Sequence, residues 1–198
     1  MRRTSSNESN WRDKLLKNNT KVKPAPKNAE QLQQLDEIDR QILHLLQNNS
    51  RIPSAELARR VNLSAPGLQK RLKKLEESGI IEGYVTLVNR EAIGLDLLCF
   101  AQITLAHHQP EYVGQFCDRV KELPEVLECH HLTGEFDYLL KVVVSNRQHL
   151  ERFLFDKITR IPGVDKIRTS IVLNEIKAST SLPLSEAAID SVSLSENE

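Results

Sequence analysis

The chain has 198 residues, which suggests one or two domains, and a formal net charge of zero, so no overall basicity points to nucleic acid. No apolar run approaches the roughly 20 residues of a membrane span, and the N-terminus lacks the apolar stretch of a secretory signal, so a cytoplasmic protein with no membrane partner is expected. Cys99, Cys117 and Cys129 form no CxxC and leave an odd count, which argues against a disulfide framework or zinc site and for buried reduced thiols.

The charge is unevenly placed. Residues 1–34 carry eight Lys/Arg against three Asp/Glu, residues 35–80 eight against six, and residues 81–198 eleven against eighteen. The first 80 residues are therefore net +7 and the remainder −7. Such asymmetry suggests that the N-terminal part meets a polyanion, while an acidic C-terminal part confines the contact.

Residues 1–34 are polar and basic, with Trp11, Leu15 and Leu16 as their one apolar cluster, and read as a disordered extension or at most a short amphipathic helix around Trp11–Leu16. The cations either add non-specific DNA affinity or form a passive solvated tail. Over 35–48, Leu35, Ile38, Ile42, Leu45 and Leu46 recur at helical spacing, and Asp36, Glu37 and Asp39 suit the first turn. Ser54 is expected to cap a second helix that turns Leu57, Ala58 and Val61 inward. Asn62–Leu63 makes the turn. Ser64 caps a third helix, with Pro66 in its first turn and Leu68, Leu72 and Leu75 facing the other two helices.

The opposite face of the third helix carries Pro66, Gln69, Lys70 and Lys73, with Arg71 and Lys74 on its flanks. Ala65 to Leu75 contains four cations and no carboxylate. A solvated surface helix mixes signs; a helix meeting phosphates and base edges does not. The expected DNA-contacting set is Ser64, Ala65, Pro66, Gln69, Lys70, Arg71, Lys73 and Lys74 on double-stranded DNA. Ser64 and the free amides at the helix start suit a phosphate, and Gln69 suits adenine. Gly79 is expected just past the helix end, followed by a strand over Ile80–Val88. Helix, turn, basic helix and strand is the order in which a winged helix-turn-helix enters the major groove.

The remaining elements are a strand at Leu97–Leu105, a helix at Pro110–Leu123, strands at Val126–Leu132 and Phe136–Val144 around a turn at Thr133–Glu135, a helix at Gln148–Ile161, and a strand at Ile167–Ile176. This is the split βαββαβ, ferredoxin-like plan, with helices on one sheet face and the other face calling for a partner subunit. The fold class is therefore α+β. The expected domains are a basic extension (1–34), a winged helix-turn-helix (35–84), a linker (85–95), a ferredoxin-like domain (96–178) and a loose acidic tail (179–198).

LDEIDRQILHLLQNNSRIPSAELARRVNLS at 35–64 and LQKRLKKLEESGIIEGY at 68–84, with CHHLTGEFDYLLKV at 129–142 and IPGVDKIRTSIVLNEIK at 161–177, resemble the Lrp/AsnC (feast/famine) family of transcriptional regulators. The resemblance implies a DNA-binding domain joined to a ligand-binding domain, and homodimers that assemble into tetramers or octamers. It implies a small-molecule effector, usually an amino acid, held between dimers near a Gly-x-x-Asp-Tyr turn, with no cofactor. On this sequence the effector residues would be Thr133, Gly134, Glu135, Asp137 and Tyr138. Asp137 would accept from the ammonium group and turn amides would donate to the carboxylate. The alternative is that Gly134 and Asp137 simply build a hairpin. Glu135 where many members have Asp, and Ala65 and Gly67 where larger or more polar residues are common, leave effector and operator identity open.

Some relatives of this family are sirohaem decarboxylases, and His107, His108, His130 and His131 are available here. Adjacent histidines on a strand point to opposite faces, however, and no nucleophile–base or metal-ligand spacing accompanies them. An architectural DNA-packing protein without an effector is the third reading.

Overall fold

The computed structural model describes residues 35–184; the expectations for 1–34, including a helix around Trp11–Leu16, and for 185–198 lie outside these residues. The described chain forms two compact units, one of residues 35–87 with 177–184 and one of Val88–Ile176.

The first unit contains α1 (Glu37–Asn48), α2 (Ser54–Arg60) and α3 (Ala65–Glu77). Asp36 caps α1 by accepting the Asp39 N–H at 2.8 Å. Ser54 is not the cap of α2: Pro53 holds that position, with no side-chain cap bond, and Ser54 is the first helical residue. Proline's fixed φ, −59° here, sets the entry angle, and the Pro53 carbonyl accepts the Leu57 N–H. Asn62, with φ 53°, makes the left-handed turn into Ser64, whose hydroxyl accepts the Gly67 N–H. A Cβ at Gly67 would stand 3.2 Å from that hydroxyl, so glycine gives the cap its room. Leu35, Ile42, Leu43, Leu57, Ala58, Val61, Leu68 and Leu75 form the core.

One polar pair is built into this core. The Asp39 carboxylate is 1% exposed and accepts from Arg71 of α3 at 2.8 Å, while Asp36 accepts from the same guanidinium at 2.6 Å. Burial pushes the Asp36 carboxyl up, but the Asp39 amide and Arg71 outweigh it and hold it below its ordinary value. The same two carboxylates raise Arg71 further above its already high value.

The strand expected over Ile80–Val88 does not form within this chain. The composition suits a strand, but a strand also needs a ladder partner. Tyr84, Val85, Leu87 and Val88 are instead largely exposed. The Tyr84 hydroxyl ties the segment to α3 by donating to Glu76 at 2.9 Å.

The second unit is a four-stranded antiparallel sheet in the order β2-β3-β1-β4: β1 (Leu97–Leu105), β2 (Val126–His131), β3 (Tyr138–Val144) and β4 (Val164–Ile171). Between them lie α4 (Pro110–Lys121) and α5 (Arg147–Arg152), the latter continuing as a π-helical turn over Phe153–Ile158. Alternate residues Cys99, Ala101, Ile103 and Leu105 of β1, with Tyr138, Leu140, Val142 and Val144 of β3, pack against Phe116, Val120, Leu150, Phe153 and Ile158. The π turn lets Phe153 and Ile158, five residues apart, both face this core. On the opposite face Phe100, Gln102, Thr104, Leu139 and Lys141 stay partly exposed.

β4 begins and ends earlier than the expected Ile167–Ile176. It pairs with β1 from Val164 to Ile171, and a last bond from the Val172 N–H to the Leu98 carbonyl uses up the partner, since β1 starts at Leu97. Leu173 and Ile176 are consequently exposed. The first residues of the expected loose tail are held: Leu182 bonds to Gln47, and Leu184 packs on the core of the first unit.

Replacing Arg71 by Met strands the buried Asp39 carboxylate and should destabilise the first unit by about 3 kcal/mol in urea melts, whereas Asp39→Leu with Arg71→Met should recover most of the loss. Because the Asp36 carboxyl lies below its unfolded value, its contribution is complete above that unfolded value and is lost as pH falls through the folded one. The acid limb of wild-type melts should therefore flatten in Asp36→Asn.

Candidate DNA-binding face and effector turn

Ser64, Ala65, Pro66, Gln69, Lys70, Lys73 and Lys74 are all exposed, on the side of α3 away from Leu68 and Leu75. Lys73 lies 3.8 Å from Glu77, a contact between two well-exposed groups that water screens and phosphate competition can replace. Glu76 and Glu77 sit in the last turn, so the first two turns present only cationic and neutral groups. Arg71 departs from the expected set: it is only partly exposed, and its guanidinium is engaged by Asp36 and Asp39. It orients the helix instead of extending the cationic face.

The expected effector residues sit around the β2–β3 turn. Thr133, Gly134 and Glu135 are exposed, and Gly134 has φ 125°, a conformation that strains any residue with a Cβ. Asp137 is turned back toward the sheet: one carboxylate oxygen accepts the Leu105 N–H at 2.7 Å and the other lies 2.8 Å from His108 Nε2. Partial burial raises the Asp137 carboxyl, but the Leu105 amide and His108 more than offset this, leaving it below its ordinary value. Tyr138 is not on the turn surface. It is 4% exposed, packed on Phe116 with ring centroids 4.6 Å apart, and stacked on His131. Its phenol is raised by burial and by neighbouring Cys117.

Sequence reasoning missed two residues here. His108 lies 29 positions from Asp137, and Arg168 is brought to the turn by the pairing of β4 with β1. The Arg168 guanidinium sits 5.3 Å from the Phe136 ring centroid and 4.0 Å from Glu135, and is two-thirds exposed. Only the register of the sheet could have revealed either neighbour.

The four histidines diverge. His130 lies 3.0 Å from Glu128 while His131 stacks on Tyr138, so the strand pair faces opposite ways. His107 is 5.4 Å from the Tyr112 ring and His108 is on Asp137. Of the free cysteines, Cys99 is buried, Cys117 partly buried and Cys129 exposed as a residue on edge strand β2, although desolvation still pushes the Cys129 thiol up to about 12. Burial pushes the Cys99 thiol up to about 11. Among the described residues no helix is long and apolar enough to cross a membrane.

Residues 35–82 match the family model for a winged helix-turn-helix DNA-binding domain, and residues 98–182 that for the Lrp/AsnC ligand binding domain. The leucine-responsive regulatory protein of Escherichia coli (strain K12) is 41% identical over 148 residues, spanning 75% of this chain and 90% of that protein. A transcriptional regulator of Neisseria meningitidis, solved in complex with L-methionine, is 38% identical with a TM-score of 0.74, covering 77% of this chain and 99% of that one. The feast or famine regulatory protein of M. tuberculosis, also complexed with L-methionine, is 32% identical with a TM-score of 0.68, over 75% and 98%. These relatives are regulators and not enzymes, and with both halves matched in order the chain belongs to the Lrp/AsnC family of DNA-binding transcriptional regulators.

Proposed function

We propose that this regulator reads its operators through Ser64, Ala65, Pro66, Gln69, Lys70, Lys73 and Lys74, and that a free amino acid bound at the 133–137 turn alters the assembly that presents them. The observation that carries the DNA part is the exposed, carboxylate-free start of α3. The Ser64 hydroxyl and the Ala65 amide at its start meet phosphate, Lys70 and Lys73 neutralise it, and Gln69 reaches base edges.

The effector part rests on the exposed groups of the turn and on the L-methionine complexes of the Neisseria and Mycobacterium relatives. An amino acid needs an acceptor for its ammonium and donors for its carboxylate. Both oxygens of Asp137 already have partners, so Asp137 and Gly134 hold the turn in shape. Glu135 then supplies the acceptor, and Arg168 with the turn amides supplies the donors. A second copy closes the site. The partly exposed sheet face with Phe100 and Leu139, and the apolar run Tyr84–Val88, suit burial between subunits of a dimer, and dimers in turn build tetramers or octamers. The effector shifts that equilibrium through its different affinity for the two states, in the cytoplasm where DNA and free amino acids meet.

Three measurements test this. Lys70→Ala with Lys73→Ala should weaken operator binding and lower the slope of log K against log salt by about 2; an unchanged slope removes this face from the interface. In a thermal-shift screen against the twenty amino acids, at least one, with L-methionine the first choice, should raise the melting temperature. Glu135→Gln should abolish that rise and leave operator affinity intact. A response that survives Glu135→Gln moves the pocket elsewhere, and no response to any amino acid favours an architectural DNA-binding protein. Light scattering should give a mass that is an even multiple of the 22.6 kDa chain, reduced by Phe100→Asp.

A further inference from the structure

The chain leaves the DNA-binding unit after Leu87, builds the ligand-binding unit, and re-enters the DNA-binding unit at Lys177. The returning segment is held at two places. The Leu182 N–H donates to Gln47 Oε1 at 2.6 Å, and the Leu182 carbonyl accepts from Gln47 Nε2 at 3.2 Å. Two residues on, Leu184 packs against the helical core built by Ile42, Leu57, Leu68 and Leu75.

The chemistry of this contact is that of a sheet edge. In an extended chain the N–H and C=O of one residue point to the same side, where a neighbouring strand residue meets both. A primary amide carries one acceptor and one donor at the same spacing, so the Gln47 side chain stands in for that strand. Pro183 disfavours helix at Leu182 and holds it extended. Proline also has no N–H, so backbone donation along the segment stops there and the apolar Leu184 takes over.

We infer that the last turn of α1, with Gln47 as its clamp, is a docking site for this chain's own segment Ser181–Leu184, and that this segment is a second tether between the two units. The occupant is identified by continuity: the last ladder bond of the ligand-binding sheet is made by Val172, and residues 173–180 alone span the interval to the docked residues. Such a stretch reaches up to about 28 Å. A unit joined by one linker samples many orientations, whereas a unit joined at both ends samples few. The dock is thus a route by which the ligand-binding unit bears on the helices that read DNA, independent of the linker after α3.

Hydrogen exchange on the full-length protein, followed by mass spectrometry, tests the dock directly. The Leu182 amide should exchange at least about tenfold more slowly in wild type than in Gln47→Ala, with α1, α2 and α3 equally protected in both. Gln47→Glu, which keeps an acceptor but loses the donor, should fall between them, and Leu184→Ser should free the segment by the apolar route. Equal Leu182 exchange in wild type and Gln47→Ala, with the helices intact, overturns the inference. Mixed assemblies of Gln47→Ala chains with chains ending at Thr180 decide the occupant. Intramolecular docking predicts no protected Leu182 in the mixture. Protection regained there means that a neighbouring copy donates the segment, which overturns the assignment to the same chain.

Discussion

The orientation of α3 depends on the buried carboxylate of Asp39. A carboxylate on the inner side of α1 must be paired or it costs several kcal/mol, and Arg71 is the cation that pairs it. The pairing fixes how α3 is rotated about its own axis. With Arg71 turned toward α1, Leu68 and Leu75 must enter the core, and Gln69, Lys70 and Lys73 must emerge. Hydrophobic burial alone leaves some freedom in that rotation, because a leucine stripe slides more easily than a guanidinium nitrogen shared by two carboxylates. The four cations of α3 therefore divide into one that orients the helix and three that stay exposed.

This division explains part of what was legible in the sequence. Periodicity identified the leucine stripe of α3 and the span of β1, because those depend on local spacing. Arg71 looked like its neighbours, since its partner on α1 is 32 positions away. The same limit applies to the segment after α3. Ile80–Val88 has the composition of a strand, but pairing is a property of two segments, and among the described residues there is no second. β4 shows the converse: the apolar run continues to Ile176, and the strand stops where β1 stops. The π turn was also hidden, because a helical reading of Leu150, Phe153 and Ile158 assumes 3.6 residues per turn throughout.

At the candidate effector turn, the geometry redistributes the roles that residue type suggests. An aspartate beside a glycine in an exposed turn invites assignment as a ligand acceptor. Its two oxygens are instead consumed by a backbone amide of β1 and by His108. A carboxylate so engaged stabilises the turn, and an incoming ammonium would have to displace one of those bonds. Glu135 and Arg168 have the opposite character. They face each other at 4.0 Å, both are well exposed, and such a contact contributes little to folding. Groups that cost little to separate are the ones a zwitterion can rearrange, each charge replacing the partner it removes. The turn is thus partitioned: Gly134, Asp137 and His108 set its shape, and on the proposed reading Thr133, Glu135 and Arg168 choose what it holds. A change of effector should follow substitution in the second group, since any change in the first alters the backbone on which every effector would depend.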